Sequence, residues 1–239
     1  MSIEVKNLIK KFDDKVVIDD ISFKVNDGEI LAIVGFSGSG KSTVLKLICG
    51  LIPFDNGEVI TSDGDIAMVF QYSALFDSLN VFDNISFALK ERKELRKKYT
   101  DADLKKIVLQ KLELVGLQGI ENKFPSELSG GMQKRVSFAR AIVTKPNTIL
   151  YDEPTAGLDP MSSTLIEDYI VRLKRETNAA SIVVTHQMST ITRTADKVIM
   201  LYDGKIVFDG TPSELLKQDN PYTKQFVTAS LDGPMKLKA

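Results

Sequence analysis

The sequence is poor in the side chains that build disulfides and structural zinc sites. Its 239 residues include one cysteine, Cys49, and one histidine, His186. A single cysteine excludes an intrachain disulfide, and this pair is too small a ligand set for structural zinc. Because Cys49 lies in an apolar, helix-like stretch, we expect it to be a small side chain of the core.

Long apolar runs are also absent. The longest strand-like apolar stretch, Ile30–Val34, is far shorter than the roughly 18 residues that a membrane-spanning helix needs. The chain is therefore not expected to cross a membrane by itself. Residues 1–12 mix charged and apolar side chains and lack the apolar centre of a signal peptide, which indicates a cytoplasmic protein.

An excess of one charge is missing as well. The formal net charge of -1 gives no general attraction to nucleic acid or to an anionic membrane, although a local basic patch is compatible with it. Charges of both signs alternate at residues 90–98. We expect this run to be a solvated helix face, with an interaction surface as the alternative.

The composition, 43% hydrophobic and 26% charged, is that of a globular protein with one large or two small domains. Residues 3–34 alternate apolar and polar positions, which predicts β-structure. From about residue 73 to residue 143 this pattern fades, and a capped amphipathic helix is predicted from Thr100 to Gly116. Strand patterns return at 147–154, 180–186 and 197–210, with a helical pattern at 161–176. The sequence therefore predicts an α/β core interrupted by a helical subdomain.

The first chemical motif is a phosphate loop. Residues 35–42, GFSGSGKS, match the pattern G-x-x-x-x-G-K-[ST] between a predicted strand and a predicted helix. Small residues let backbone N–H groups converge on a polyphosphate, Lys41 would reach the outer phosphates, and Ser42 would hold Mg²⁺. The alternative, a Gly/Ser-rich turn, does not require Lys41. We therefore predict that nucleotide is bound by Gly35, Phe36, Ser37, Gly38, Ser39, Gly40, Lys41, Ser42 and Thr43.

Two adjacent carboxylates, Asp152 and Glu153, end another apolar strand pattern. Asp152 would hold Mg²⁺ directly or through water, and Glu153 would orient or deprotonate the attacking water. A solvated turn before Pro154 is the alternative. His186 ends a further strand pattern, from which an imidazole could reach a γ-phosphate, but a structural role is the alternative for a histidine taken alone.

The sequence LSGGM at residues 128–132 goes beyond a generic phosphate-loop ATPase, and with it the chain resembles the ATP-binding cassette (ABC) family. In chain order, its segments resemble Walker A (35–43), the Q-loop (Gln71), the signature (128–132), Walker B (148–153), the D-loop (157–159) and the switch histidine (His186). Met132 stands where the family usually has Gln. The resemblance implies a P-loop NTPase core with an N-terminal antiparallel β subdomain and a helical subdomain inserted at about residues 73–143.

The resemblance further implies that two copies sandwich two Mg²⁺-ATP molecules, so that each site is shared. The signature helix of one copy would then offer a second anion cradle to the γ-phosphate bound by the other. The implied catalytic residues are Glu153, His186 and Gln71, and the implied metal ligands are Ser42, Gln71 and Asp152. Further nucleotide contacts are implied for Phe12, Ser129, Gly130, Gly131 and Asp159. Phe12 corresponds to an aromatic that stacks on adenine; without the resemblance it would be interpreted as a core residue.

Gln71 in this family also begins the helical subdomain, which contacts membrane-spanning permease subunits. Residues 72–89 contain several aromatic side chains, and we expect part of this segment to line a groove for a permease helix. Core packing of the helical subdomain is the alternative. Because the chain forms no substrate path of its own, transport requires such membrane partners. The implied location is peripheral, on the cytoplasmic side of the cytoplasmic membrane, with no nucleic-acid partner.

Within the family, Phe36, residues 70–89 and residues 151–160 are similar to the ATPases of Mla-type lipid-transport systems. Those ATPases work with a permease and a lipid-binding MCE-domain protein, and residues 225–234 also resemble their C-termini. The resemblance implies phospholipid transport across or from the cytoplasmic membrane, which maintains envelope lipid asymmetry. The alternatives are the ATPase of an importer for amino acids or osmolytes and, more remotely, a DNA-repair or ribosome-associated cassette.

The predicted ABC ATPase domain covers residues 1–220, and residues 221–239 form a C-terminal extension. This extension is polar and contains Gly and Pro, so it has little local reason to order itself. We therefore expect it to pack on the partner cassette.

Overall fold

The computed structural model describes residues 3–61 and 65–236. The strands are β1 (Ile3–Phe12), β2 (Lys15–Val25), β3 (Ile30–Val34), β4 (Asn56–Thr61), β5 (Ile66–Val69), β6 (Thr148–Asp152), β7 (Ala180–Val184), β8 (Lys197–Tyr202) and β9 (Lys205–Gly210). The helices are α1 (Lys41–Ile48), α2 (Val81–Glu91), α3 (Lys93–Arg96), α4 (Asp101–Leu114), α5 (Gly130–Ala141), α6 (Pro160–Thr177), α7 (Met188–Thr194), α8 (Pro212–Lys217) and α9 (Pro221–Val227). In the described residues, no helix is long and apolar enough to cross a bilayer.

The N-terminal strands form an antiparallel sheet in the order β2-β1-β4. Ile3 and Val5 are buried on one face of β1, as the alternating sequence predicts, and a register shift between Val5 and Leu8 returns Leu8 to a buried position. The turn between β1 and β2 contains Asp13 in the left-handed region, at φ 51°. This sheet confirms the predicted N-terminal β subdomain.

The second sheet has the order β5-β6-β7-β3-β8-β9, and its strands are parallel except for the β8–β9 hairpin. Strands β3, β6 and β7 are buried at every position, since the sheet is covered on both faces. That burial explains their nearly continuous apolar sequences. Because these strands are parallel neighbours, the residues that follow them meet at one edge of the sheet.

The two faces of this sheet contact different layers. On β6, Ile149 and Tyr151 pack against helices α2, α4, α5 and α6, whereas Leu150 points to α1 and the N-terminal sheet. Helices α2 to α5 lie between β5 and β6, within the range expected for the helical subdomain. Helix α4 begins with a capping box between Thr100 and Asp103, as predicted. The predicted α/β architecture with inserted helices is confirmed.

Two surface expectations can be compared with the structure. The charged run at 90–98 is mostly exposed around the short helix α3, in agreement with a solvated face. Cys49 lies after α1 and packs only partly against the core, with its Sγ 3.9 Å from Met68 Sδ. Burial nevertheless raises the pKa of this thiol.

The C-terminal extension folds onto its own chain as far as residue 236. Gln225 on α9 is buried; its Nε2 donates to the carbonyl of Met235 at 2.8 Å, and its Oε1 accepts from the Met235 N–H at 2.8 Å. Met235 is buried beside Leu215 and Met200. The expectation that this segment has little local reason to order itself is therefore wrong, because a buried glutamine pairs with both backbone groups of Met235. Its contact with a second cassette stays a prediction, and residues 237–239 lie outside the described residues.

Candidate nucleotide site

The loop between β3 and α1 requires glycine at two positions for steric reasons. Gly35 has φ 146°, and a Cβ there would lie 2.3 Å from the carbonyl oxygen of Leu201. Gly40 has φ 98°, and its Cβ would lie 2.7 Å from Ile18 Cδ1. Any larger residue would push the loop away from the sheet. The two glycines are therefore required because the loop packs directly against the core.

Lys41 begins α1 and is buried. Its Nζ donates to the carbonyl oxygens of Gly35 at 2.9 Å and Phe36 at 2.8 Å. Burial lowers the pKa of Lys41, and the nearby carboxylates of Glu153 and Asp152 oppose this effect. The ammonium group is thus held over the loop by two neutral carbonyls, from which an anionic phosphate could take it.

Ser39 adds a polar atom that fits a ligand. Its hydroxyl oxygen is buried and has no hydrogen-bond partner within the residues described. Buried polar atoms are normally paired, so an orphaned hydroxyl in a glycine-rich loop indicates a position for a bound polar group.

Asp152 ends β6 and accepts a hydrogen bond from the Ser42 hydroxyl at 2.8 Å. Burial raises the pKa of this carboxyl, although the Ser42 hydrogen bond opposes the rise. Among the described residues there is no cluster of three or more His, Cys, Asp or Glu that could hold a metal ion. A hydroxyl and a carboxylate fit Mg²⁺, which in phosphate sites completes its shell with substrate oxygens and water.

Glu153 follows Asp152 in an uncommon backbone conformation, with φ 46°. Its side chain contacts His186, whose Nδ1 lies 2.9 Å from Glu153 Oε1. The other carboxylate oxygen, Oε2, is buried with no hydrogen-bond partner in the part of the chain that the structure describes. His186 follows β7 and its side chain is 61% exposed. One oxygen of Glu153 is thus oriented by His186, and the other is available for a reacting group.

These groups surround a cleft of about 600 Å³ at the carboxyl edge of the sheet. Gln71, which comes shortly after β5, completes it. The cleft is lined by Val17, Gly35, Phe36, Ser37, Gly38, Gly40, Lys41, Ser42, Thr43, Gln71, Glu153, His186, Met188, Phe226 and Ala229. The structure therefore brings together the predicted loop, Gln71, Glu153 and His186, with Asp152 directly behind Ser42.

The residues predicted as the signature and the D-loop lie outside this cleft. Ser129 caps α5 by accepting from the Met132 N–H at 3.3 Å, and Ser129 and Gly130 are exposed. Asp159 caps α6, and a hydrogen bond from Ser162 lowers its pKa. Gly130 and Gly157 line a second cleft, which Gln71 also borders. Neither Ser129, Gly130, Gly131 nor Asp159 lines the phosphate cleft of the same chain.

Phe12 does not line the phosphate cleft either. It ends β1, is 45% exposed, and carries the Lys10 ammonium 5.1 Å from its ring centroid. The alternative interpretation of Phe12 as a core residue is therefore wrong. Its stacking on adenine stays a prediction.

The sequence analysis did not find four side chains of the cleft: Val17, Met188, Phe226 and Ala229. Phe226 of α9 packs toward Phe36 of the phosphate loop, with ring centroids 6.4 Å apart. The apolar residues Tyr222 and Phe226 recur at helical spacing, but no local pattern could connect them to a loop near the other end of the chain.

Part of the aromatic segment 72–89 lines a groove, as expected. Phe76 and Phe87 are both exposed there, with ring centroids 4.7 Å apart. The Arg140 guanidinium lies 5.7 Å from the Phe76 ring and donates to the carbonyls of Ser73 and Ala74. Other members of the segment, including Val81, Ile85 and Leu89, are buried in the core between the helices and the second sheet. Part of the segment therefore lines a groove and part packs in the core, whereas binding of a permease helix in the groove stays a prediction.

Comparisons with known proteins agree with this geometry. The family described as "ABC transporter" matches residues 18–156. The chain is 44% identical to the chloroplastic protein TRIGALACTOSYLDIACYLGLYCEROL 3 of Arabidopsis thaliana, covering 98% of this chain and 75% of that protein. It is 39% identical to the intermembrane phospholipid transport system ATP-binding protein MlaF of Haemophilus influenzae, covering 99% and 94%.

A solved structure, the dimeric ATP-binding cassette MJ0796 in a post-hydrolysis state with ADP and Pi, shares the fold. The TM-score is 0.77 at 29% identity, over 88% of this chain and 98% of that one. The phosphate loop, the carboxylates and His186 thus lie within a known ATPase architecture. The chain belongs to the ABC transporter family and is one of its ATP-hydrolysing cassettes.

Proposed function

We propose that this chain is the ATPase subunit of an ABC transporter that moves phospholipid across or from the cytoplasmic membrane and so maintains envelope lipid asymmetry. The chemistry is supported by one observation above the others: Lys41 of α1, Asp152 and Glu153 at the end of β6, and His186 after β7 meet at one edge of the sheet. The substrate class is supported by similarity over nearly the whole chain to MlaF, a protein named for phospholipid transport.

Nucleotide binding is the role of the phosphate loop. On binding, Lys41 exchanges the carbonyls of Gly35 and Phe36 for the outer phosphate oxygens of ATP, and the α1 N-terminus adds backbone N–H donors. The unpaired Ser39 hydroxyl gains a partner. Ser42, Asp152 and Gln71 would hold Mg²⁺, which when bound would supply positive charge that neutralises the phosphates.

Hydrolysis requires an oriented water. We assign the free Oε2 of Glu153 to that water, and His186 to holding Oε1 and contacting the γ-phosphate. The water oxygen bonds to the γ-phosphorus, its proton passes to Glu153, and the bond from the γ-phosphorus to the bridging oxygen of ADP breaks. ADP and inorganic phosphate are the products.

A second copy of the chain completes each site. The residues with which it does so, Ser129, Gly130 and Gly131, stand at the N-terminus of α5, where the helix dipole favours an anion. Helix α5 is anchored on the catalytic strand, because Phe138 stacks on Tyr151 with ring centroids 5.2 Å apart. ATP thus joins two copies, and its hydrolysis releases them.

Coupling to the membrane occurs through the groove at Phe76 and Phe87. The two exposed aromatic rings line this groove together with apolar residues of β5, and such a surface fits an amphipathic helix of a permease. The proposed complex contains permease subunits and an MCE-domain lipid-binding protein, with this chain bound peripherally on the cytoplasmic side.

The test is affinity purification of tagged Glu153→Gln in mild detergent with Mg²⁺-ATP, followed by mass spectrometry of proteins and lipids. A parallel purification of Lys41→Ala is the matched control, because it leaves the partner groove unchanged. A permease, an MCE-type protein and phospholipid are expected. A permease with a soluble solute-binding protein would replace the lipid proposal with the importer, and ribosomes or DNA-repair proteins would overturn the transport proposal.

A further inference from the structure

A buried polar network lies behind the pair formed by Glu153 and His186. Its centre is Glu167 on α6, which is 1% exposed. Glu167 Oε1 accepts from the hydroxyls of Ser189 at 3.1 Å and Thr190 at 2.8 Å, and Oε2 lies 3.0 Å from Arg193 Nε. Both carboxylate oxygens are therefore held by α7.

The network has a defined direction. Thr190 is fully buried, and its hydroxyl oxygen also lies 3.1 Å from the hydroxyl oxygen of Thr155. A hydroxyl has one hydrogen, and that of Thr190 is donated to the carboxylate. Thr155 must then donate to Thr190, so the hydrogen bonds run from Thr155 through Thr190 to Glu167.

Two members of this relay, Thr155 and Thr190, belong to the two segments that carry the catalytic pair. Thr155 lies in the turn after Glu153, where the Ala156 N–H donates to the Glu153 carbonyl at 3.1 Å and the Leu158 N–H donates to the Thr155 carbonyl at 3.2 Å. Thr190 belongs to α7, which begins two residues after His186. The relay thus joins the backbone of Glu153 to the backbone of His186 by a route separate from their own side-chain contact.

Packing alone does not account for these residue types. Burying a carboxyl group and two hydroxyls costs free energy that apolar side chains of the same volume would not cost. Hydrogen bonds, unlike apolar contacts, fix distance and orientation. A hydrogen-bonded link is therefore suited to fix the position of the turn after Glu153 relative to α7.

We propose that Glu167 is a positioning residue for ATP hydrolysis, which acts through Thr190 and Thr155 to set the placement of His186 relative to Glu153. This inference rests on the catalytic roles proposed above for those two residues. None of the hydrogen bonds and ion pairs described for this network goes to the phosphate loop. Loss of the relay should therefore lower kcat and leave the KM for ATP nearly unchanged.

The test compares Thr190→Val with Thr190→Ser and Thr192→Val. Valine has nearly the shape of threonine without its hydroxyl, serine restores the hydroxyl, and Thr192 is an exposed residue of α7 whose hydroxyl bonds to carbonyls of its own helix. Thr190→Val should lower kcat by at least roughly tenfold, since small displacements of reacting groups cost up to about a hundredfold. The KM for ATP should stay within about twofold, Thr190→Ser should recover most of the activity, and Thr192→Val should match the wild type.

A second readout needs no hydrolysis. Because His186 is the single histidine of the sequence, ¹³C-labelled histidine gives one ring signal. Without nucleotide, this signal should move in Thr190→Val toward its position in Glu153→Gln, and it should not move in Thr192→Val. If Thr190→Val does not fold, Thr155→Val serves instead, because it breaks the link and leaves Thr190 bonded to Glu167.

The outcomes separate the inference from the proposed function. Wild-type kcat in Thr190→Val or Thr155→Val overturns the inference, and so does a lowered kcat with an unmoved His186 signal, which would indicate a structural role. Wild-type kcat in Glu153→Gln and His186→Ala would instead overturn the catalytic roles themselves. All variants are assayed in the preparation, isolated chain or complex, in which the wild type hydrolyses ATP.

Discussion

His186 Nδ1 lies 2.9 Å from Glu153 Oε1, whereas Glu153 Oε2 is buried and unpaired among the residues that the structure covers. The two oxygens of one carboxylate thus have different surroundings. Glu153 also has φ 46°, a conformation that costs free energy in a residue with a side chain. An unpaired oxygen and an unfavourable backbone angle at one residue indicate selection for chemistry over stability.

Glu153→Gln should therefore abolish turnover but retain ATP binding. Glutamine keeps the size of the side chain but cannot accept the proton of water, and such groups typically contribute about a hundredfold or more to rate. ATP should then hold two copies together, because the bond between its γ-phosphorus and the bridging oxygen of ADP is not cleaved. Steady-state phosphate release measures turnover, and light scattering with Mg²⁺-ATP measures the association of two copies. His186→Ala is the companion variant, for which we expect reduced turnover and an intact fold. Unchanged turnover in Glu153→Gln would contradict its role toward water.

Lys41→Ala should remove productive nucleotide binding and leave the fold intact. Without nucleotide, the Lys41 ammonium is buried and satisfied by two carbonyls of its own loop, so its loss removes a group whose burial is itself costly. Lys46 is the matched control, since it is an exposed lysine on the same helix. Calorimetric titration with ATP should show no binding for Lys41→Ala and wild-type binding for Lys46→Ala. Equal loss in both variants would indicate general damage to α1.

Asp152→Asn should stabilise the protein at neutral pH in the absence of metal and nucleotide. Burial raises the pKa of Asp152, so the folded protein binds this proton more tightly than the unfolded chain. The stability from that proton is full below the ordinary pKa of 3.8 and is lost as pH rises through the raised folded value. Asparagine carries no buried charge and can still accept from Ser42.

Urea denaturation at neutral and mildly acidic pH measures this effect. The stability difference between Asp152→Asn and the wild type should narrow as the pH falls toward the ordinary carboxyl range. Asp159→Asn is the control of opposite sign, because a hydrogen bond from Ser162 lowers the pKa of Asp159 and its ionised form is favoured in the fold. A less stable Asp152→Asn at neutral pH would show that attraction to nearby lysines outweighs burial.

The sequence predicts which residues meet at the carboxyl edge of the second sheet, because each contributing segment can be recognised from its own local sequence. Apolar runs identify β3, β6 and β7, and the polar residues that follow them are read directly from the chain. The Asp203–Gly204 turn has both residues in the left-handed region, which is the requirement of a tight hairpin turn and explains why β8 and β9 are recognisable. Parallel neighbours then place the following residues together.

What the sequence leaves hidden depends on pairing between distant residues. Glu167 lies in an amphipathic helix, where a glutamate is normally interpreted as a surface residue, and its burial follows only from the approach of α7. The contact between Phe36 and Phe226 likewise follows only from the approach of α9 to the phosphate loop. In the C-terminal extension, the Gln225 side chain pairs with the backbone of a residue ten positions later in the sequence. No periodic pattern in the sequence predicts any of these contacts.

Gln225→Ala tests that last relationship. The substitution leaves the buried N–H and carbonyl of Met235 without their partners, which should lower the free energy of unfolding by about 1–3 kcal/mol. Because Phe226 on the same helix packs toward Phe36, loosening the segment should also weaken ATP binding. Lys224→Ala, on the exposed face of the helix, should change neither quantity. Urea denaturation and ATP titration measure them, and a destabilised Gln225→Ala with wild-type ATP affinity would show that the extension supports the fold but not the phosphate loop.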